Sequence, residues 1–574
     1  MVRRVQLMRT PAQVARVRGY IRTQWAGVQS VAAAVASDVG GAMTAIIAQV
    51  EGVHAGYTAA ATGTGGTLPH LSLEDILLLN YDADAFDIVA AADAGVADFV
   101  HPPSNPTPPT PGTMPWLTAV RHARCTAAVV AAEVDGQVRL WAGHTTWADY
   151  VELLRVYKVY TFAATAAAVA RAHTGGIVRV AMSSFPGMVS STDDWFLLSS
   201  GLLVMETTSS AVVHAALAPI APPRGAPMWL RAQAANAVAT TGAEWAAAFL
   251  QGASGTGNSM WMVVAARAVA EARAGGRLGT RANLPAGTLT VVETSAVHSW
   301  VGDVTPQLAA TGVWWSVNRP RDDTIRTDLG YPSEGGGNGD GGGKLASRHL
   351  ARFAQQQAAL QPPVAPLRLD RHDLEGLHIV SRGRTGEGIA LPPSSARAAG
   401  LPRFAAGDAI VPPALYSHTA SPRARSLARE AARGRSTTDM AAMMAHNRWR
   451  DDGESLGRPY FAVAARYDLA AGSDTARAAT GGMDTKVAEV ADAAALTSYT
   501  RLGPSSRGAD LPPWDWRTWT APDVCRPPAT PCGGGASLDA TTMCGAHGPA
   551  PPHGAAPLVL PCEWDSEWAV IRPG

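Results

Sequence analysis

The segment HPPSNPTPPTPGTMP, residues 101–115, constrains this chain more than any other feature. Its prolines lack amide hydrogens and lock φ, so neither a helix nor an interior strand can run through it. An exposed linker is predicted there. A second break opens with GGGNGDGGG and covers residues 331–412, where Arg, Pro, Gly and Ala dominate. Such a stretch buries too little apolar area to offset chain entropy, so a disordered, dispensable insertion is predicted. The chain turns Pro/Gly-rich again beyond about residue 520. These breaks define an N-terminal region, 1–124, a core at 125–520 interrupted by the insertion, and a tail, 521–574.

The pieces between the breaks carry both hydrophobic periods. VAAAVASDVGGAMTAIIAQVEGVHAGY, residues 31–57, has helical spacing. In LSLEDILLLNYDADAFDI, Ser72 is an N-cap with Asp75 three residues later, followed by a buried Ile-Leu-Leu-Leu face. CTAAVVAA and VRLWA read as strands joined by a turn at Asp135-Gly136. TTWADYVELLRVYKVY, residues 145–160, is predicted to be a helix. IVRVAMSSF and LLVMETT are predicted strands flanking a turn-rich loop, and LTVVET is another strand. Residues 228–275 read as helical, interrupted by GASGTGNSMW, and order returns near Leu415. Alternating strand pairs and helix pairs point to a layered α+β fold.

Lys+Arg and Asp+Glu both number 47, giving zero net charge. Nucleic-acid binders carry a basic surplus, so no nucleic-acid partner is expected. No apolar run is long enough to span a bilayer, so no transmembrane segment is expected. The first residues, MVRRVQLMRT, lack the apolar region of a signal peptide, and Asn105-Pro106 spoils the one sequon-like site. GTGGT and GASGTGN lack the Lys-Ser/Thr of a phosphate loop, and no His/Cys/Asp cluster has metal-ligand spacing, so neither a cofactor nor a metal is expected. Cys525, Cys532, Cys544 and Cys562 crowd the tail without paired C-x-x-C spacing. Two disulfides and four free thiols both remain open for them.

Cys125 stands apart from these, at the head of a predicted strand just after the Pro-rich linker. Cutting the Arg124–Cys125 bond would place a new α-amine beside the thiol. With a pKa near 8, that amine can act as the thiol's own general base, so one residue supplies nucleophile and base. A lone cysteine is also a good small apolar core residue, and the residue alone does not separate the two.

The text around Cys125 resembles the phospholipase B-like family. RCTAAVV, GHTTWADYVELLRVYKVY and SSFPGMVSSTDDWFLLSSGLLVMETT come in the family's order. SGTGNSMWMVV, LTVVET, DVTPQL, WWSVNRP, LYSHTASPRARSL, MAAMMAHN, AVAARYDL, GGMDTKV and LPPWDW follow. Together they cover most of residues 70–520. The resemblance implies a four-layer αββα sandwich of the N-terminal-nucleophile hydrolase type, matured by self-cleavage between Arg124 and Cys125. It implies Cys125 as nucleophile, with His144, Trp147 and Thr208 lining the pocket. It places Asn318 at the oxyanion, Arg423 on an acidic or substrate group, and Asp194 nearby. Taken singly, each has a plainer reading: a core His, a packing Trp, a strand-end Thr, a turn Asn.

The implied substrate is a phospholipid ester. N-acyl amides or peptides are the alternative, as is a protein that cleaves itself once and then only binds. The N-terminal fragment is the expected partner after cleavage. The family resemblance implies a lysosomal or secreted protein, although no signal peptide is visible. The family's paired Cys after the Met-rich helix are missing from GESLGRPYFAV.

Overall fold

The computed structural model describes residues 11–64, 68–93, 95, 125–153, 155–164, 167–191, 194–212, 214–331, 413–471, 474, 476–505 and 511–515, and short strands at 537–539, 559–561, 563–564 and 569–571. The linker 101–115, Arg124, residues 332–412 and the four tail cysteines lie outside the described residues.

Two antiparallel sheets and flanking helices make up an α+β fold. The strands are β1 (Cys125–Val134), β2 (Gln137–Asp149), β3 (Val156–Ala163), β4 (Ile177–Ser184), β5 (Trp195–Leu198) and β6 (Leu202–Thr208). They continue with β7 (Ser259–Ala265), β8 (Leu289–Thr294), β9 (Ser299–Asp303), β10 (Val313–Ser316), β11 (Thr480–Glu489) and β12 (Ser498–Leu502). One sheet has the order β10-β1-β2-β11-β12, closed by the short strand Ala569–Ile571; the other runs β3 to β9 in chain order.

β1 shows how the sequence builds the interior. Its first eight residues are all buried. Side chains alternate between faces along a strand. Ala127, Val129 and Ala131 join a core with Leu197, Leu203, Met205, Met262 and Val291 of the second sheet. Ala128, Val130 and Ala132 join another with Leu427, Met440 and Met444. Those residues belong to the helices Pro422–Ala431 and Thr437–Met444. A strand covered on both sides reads as an unbroken apolar run, which is what CTAAVVAA is. The β1–β2 hairpin turns on Asp135 at φ 51° and Gly136 at φ 73°. Positive φ at both central residues is what a tight hairpin turn requires.

The segment 145–160 is not a helix. β2 continues to Asp149, a single 3-10 turn covers Tyr150–Glu152, and β3 starts at Val156. The helical spacing of its apolar residues competed with Thr145, Thr146, Trp147 and the VYKVYTF alternation, all strand-favouring, and sheet pairing decided the contest. Strands also sit where none was predicted, among them β9 to β12, β5 and β7. β5 lies inside the turn-rich loop, and β7 follows the SGTGN loop in the stretch read as helical.

The N-terminal region forms α1 (Pro11–Ala34), α2 (Ser37–Gly63), α3 (Leu73–Asn80) and α4 (Asp82–Asp93). The predicted helix at 31–57 is therefore broken at residues 35–36. Gly40 permits the sharp bend, because a Cβ there would lie 2.0 Å from the Ala32 carbonyl oxygen. Ser72 and Asp75 form the expected capping box. These helices share a third core with Trp229, Trp245 and Phe249 and with Phe196, Val204 and Trp261 of the second sheet. The attachment is also polar. Asp84 Oδ1 accepts the Met228 amide at 2.9 Å and the Thr256 hydroxyl at 2.6 Å. Asp87 Oδ2 accepts the backbone and side-chain N–H of Asn258 at 3.0 and 2.8 Å. The SGTGN loop is thus held in place by α4.

Candidate active site

Cys125 is the first residue of β1 and is buried. Strand alternation aims its side chain the same way as Ala127 and Val129, into the space between the sheets. At this end the space is polar. Thr146 faces Cys125 across the β1–β2 pair, and His144 faces Ala127. On β11, Lys486 pairs with His144 and Asp484 with Thr146. In the second sheet, Glu206 on β6 and Asp194 just before β5 are buried behind this space; Glu206 shares the face of Val204, toward the N-terminal helices.

Arg423 gathers the site. It opens the helix Pro422–Ala431, next to Pro422, which suits a first helical turn. Its Nη1 donates to the Cys125 carbonyl at 2.7 Å and to Thr126 Oγ1 at 3.0 Å. Its Nη2 donates to the Val317 carbonyl at 2.7 Å and to Asn318 Oδ1 at 2.9 Å. The guanidinium lies over the Trp147 ring, 4.2 Å from its centroid. These bonds go to the protein's own carbonyls, amide and hydroxyl, so the fork fixes the strand head against Asn318. Burial, and then the like charge of Arg319, press its pKa downward.

Asn318 sits at φ 63°, a left-handed conformation that asparagine tolerates better than most residues. Its Nδ2 donates to the Thr208 carbonyl at 2.8 Å, which ties β6 to the same network. Trp147 donates its indole N–H to the Val463 carbonyl at 3.1 Å, and its ring meets Tyr467 edge-on. Trp147, Val317, Arg319, Arg423, Tyr460 and Tyr467 line a depression beside the network. Of the residues expected from sequence, Cys125, Trp147, Thr208, Asn318 and Arg423 are joined directly in this way.

His144 and Asp194 lie deeper. His144 Nε2 is 2.7 Å from the Glu206 carbonyl, which can only accept, so Nε2 carries the hydrogen. Nδ1 then accepts from Thr146 Oγ1 at 3.3 Å. Burial and the neighbouring Lys486 drive the His144 pKa well below its ordinary value, so the ring is neutral. Asp194, at φ 47°, shares a hydrogen bond with the Glu206 carboxyl. Burial raises Asp194 to about 7, against the hydrogen bond from Glu206 that lowers it, and burial and then the Asp194 charge raise Glu206 well above its ordinary value. The Cys125 thiol is itself raised, by burial first and by Glu206 second, against the opposing pull of the Trp147 amide and Lys486.

Four charged or polar groups at this site were not singled out from sequence: Glu206, Asp484, Lys486 and Arg155. Lys486 Nζ donates to Asp484 Oδ1 at 2.7 Å and Thr146 Oγ1 at 2.5 Å. Arg155 Nη2 donates to Asp484 Oδ2 at 2.9 Å. The available signal was a D-T-K triplet inside an otherwise apolar strand, with both charges on one face. Among the described residues no cluster of His, Cys, Asp and Glu could hold a metal ion.

The family model for phospholipase B matches residues 4–340 and 413–527, the bulk of the chain and every element of this site. The chain belongs to the phospholipase B family. The match passes over residues 341–412, inside the expected insertion. Phospholipase B-like protein C of Dictyostelium discoideum is 28% identical over 310 residues, 54% of this chain and 49% of that protein. Phospholipase B-like 1 of Homo sapiens is 25% identical over 472 residues, 82% of this chain and 65% of that protein. Phospholipase B of Crotalus adamanteus is 27% identical over 345 residues, 59% of this chain and 54% of that protein. The chain thus spans about half to two thirds of the length of these family members. No described helix is long and apolar enough to cross a membrane.

Proposed function

We propose that this protein is a phospholipase B-like acyl hydrolase of the N-terminal-nucleophile type, with Cys125 as its nucleophile. The observation that carries the reading is the Arg423 fork, which binds the Cys125 carbonyl and Asn318 Oδ1 at once. A buried arginine holding the head of a central strand against a left-handed asparagine is a costly arrangement for packing alone. The layering supports the same reading. The three cores follow the order helices, sheet, sheet, helices, which fits an αββα sandwich.

In this reading the thiol first attacks the Arg124 carbonyl, forming a thioester and moving the acyl group from nitrogen to sulfur. Water hydrolyses the thioester, which frees the α-amine and leaves Arg124 as a carboxylate. In turnover the α-amine takes the thiol proton and the thiolate attacks an ester carbonyl. The ester C–O bond breaks, and the alcohol leaves with the proton from the α-ammonium. Water then hydrolyses the acyl-thioester to release the fatty acid and restore the thiol. The amide of Asn318 has a second hydrogen beyond the one given to Thr208, and this is the donor assigned to the oxyanion. Trp147 and its aromatic neighbours receive the acyl chain. His144, being neutral and bonded at both nitrogens, orients Thr146 and does not act as the base. The N-terminal fragment stays bound, and the compartment is lysosomal or extracellular.

The test is N-terminal sequencing of the purified protein followed by assay on phospholipids and N-acyl amides side by side. A fragment beginning Cys-Thr-Ala-Ala-Val and release of fatty acid from phospholipid are expected. Cys125→Ala should remain uncut and inactive. Turnover of amides alone would move the substrate to the amide class, and an uncut yet active wild-type chain would sink the assignment.

A further inference from the structure

The Lys486 group is unexplained by the network around Arg423. It lies on the other side of Cys125 and involves a different strand. Lys486 and Asp484 are completely buried, and Arg155 nearly so. Buried charge is expensive and persists where it is paired and hydrogen-bonded. Here Lys486 and Arg155 share the Asp484 carboxylate, and the buried Glu152 also acts on Arg155. Lys486 Nζ is fixed by the Thr146 hydroxyl, and Thr146 is the residue directly opposite Cys125 in the β1–β2 register.

We propose that Lys486 is a positioning residue for the Cys125 thiol: anchored by Asp484, Arg155 and Thr146, its ammonium sets the field in which the thiol gives up its proton. The proposal rests on the reading of Cys125 as nucleophile and adds the source of its activation. Charged groups on both sheets act on the thiol, and Glu152 acts on it through Arg155. Glu206 and Asp194, from the second sheet, oppose thiolate formation, as does burial, while Lys486 on β11 favours it. Arg155, before β3, and Arg423, from the helix on the outer face, also interact with the sulfur as cations. His144 contributes no charge. The cations therefore act against the carboxyl pair and the burial that hold the proton on sulfur. In the cut form the proton lost by sulfur passes to the α-amine of the same residue. A neighbouring ammonium also keeps that amine neutral and ready to accept it.

Thiolate absorbs near 240 nm, so the pH titration of wild type minus Cys125→Ser isolates this one thiol from the four cysteines in the tail. An opposite charge at this range moves a pKa by about one unit or more. Lys486→Met should raise the titration midpoint by that amount, and Lys486→Arg should leave it near wild type. Thr146→Val, which keeps the charge and removes its anchor, should raise it by less. Should the Met variant fail to fold, as read by circular dichroism, the Val variant decides alone. An unchanged midpoint in a folded Lys486→Met or Thr146→Val protein overturns the proposal. The titration reads the thiol and not turnover, so it stands apart from the substrate assignment. Loss of hydrolysis with a normal titration would fault the proposed function alone.

Discussion

Arg423 makes four side-chain hydrogen bonds with one planar group, and that geometry separates it from any other cation. A lysine in its place keeps the charge but cannot reach the Cys125 carbonyl and Asn318 Oδ1 together. Arg423→Lys should therefore lower turnover about 100-fold, the usual cost of a small misplacement of reacting groups. Self-cleavage should slow in parallel, because it uses the same strand head. The check is kcat on a phospholipid together with the fraction of cut chain on a gel. Parity with wild type in both would show that charge alone suffices. Thermal stability should fall as well, since Val317 and Thr126 lose their partner.

The elements that hold the site meet at β11. Gly481, at φ 150°, passes so close to the Ala465 carbonyl oxygen that an added Cβ would sit 2.2 Å from it. The next residue, Gly482, donates its amide to that same oxygen at 2.8 Å. The segment so pinned supplies the Val463 carbonyl, which accepts from both Trp147 and Thr126. Gly481→Ala should destabilise the protein by about 1–3 kcal/mol through forced backbone movement. Calorimetric unfolding measures it, and an unchanged Tm would mean the segment yields freely. Sequence reading recovered this level unevenly. CTAAVVAA was legible because both faces of β1 are covered, so no alternation interrupts it. The span 145–160 was not, because its apolar spacing fits a helix and only its partners β1, β4 and β11 settle the matter. Cys125, Asn318 and Arg423 were singled out through motifs, yet their mutual bonds join residues some 100 to 300 positions apart, and no local pattern encodes that. Lys486 and Asp484 escaped notice because a D-x-K pair in a strand looks like an exposed face until the second sheet is laid over it.

At the scale of the molecule, buried carboxyls set the response to acid. Burial lifts Asp87, Asp194 and Glu293 each to about 7, against a free value near 4. A group that holds its proton more tightly folded than unfolded adds stability below its unfolded value, and that contribution is lost as pH rises through its folded value. Asp452 works the other way. Burial opposes its ionisation, but His446 and Arg429 hold it far below the ordinary range, so its contribution is lost only as pH falls below about 4. The stability optimum should accordingly lie on the acid side, near pH 5, with Tm declining from pH 5 to pH 8. Scanning fluorimetry across that range tests it, and Asp87→Asn should flatten the decline. A Tm that climbs toward pH 8 would contradict the burial argument.

The bonds from Asp84 and Asp87 to Met228, Thr256 and Asn258 join residues on either side of the proposed cut. While the chain is whole, the linker keeps α4 close to its partners, and docking is a one-body event. Once the chain is cut, any molecule that loses its N-terminal helices must find another set by collision, at a rate that depends on concentration. Dilution, harmless to a single chain, becomes a hazard, and the persistence of the mature form rests on the height of its unfolding barrier. Such a protein is assembled once and thereafter keeps its shape by never letting go.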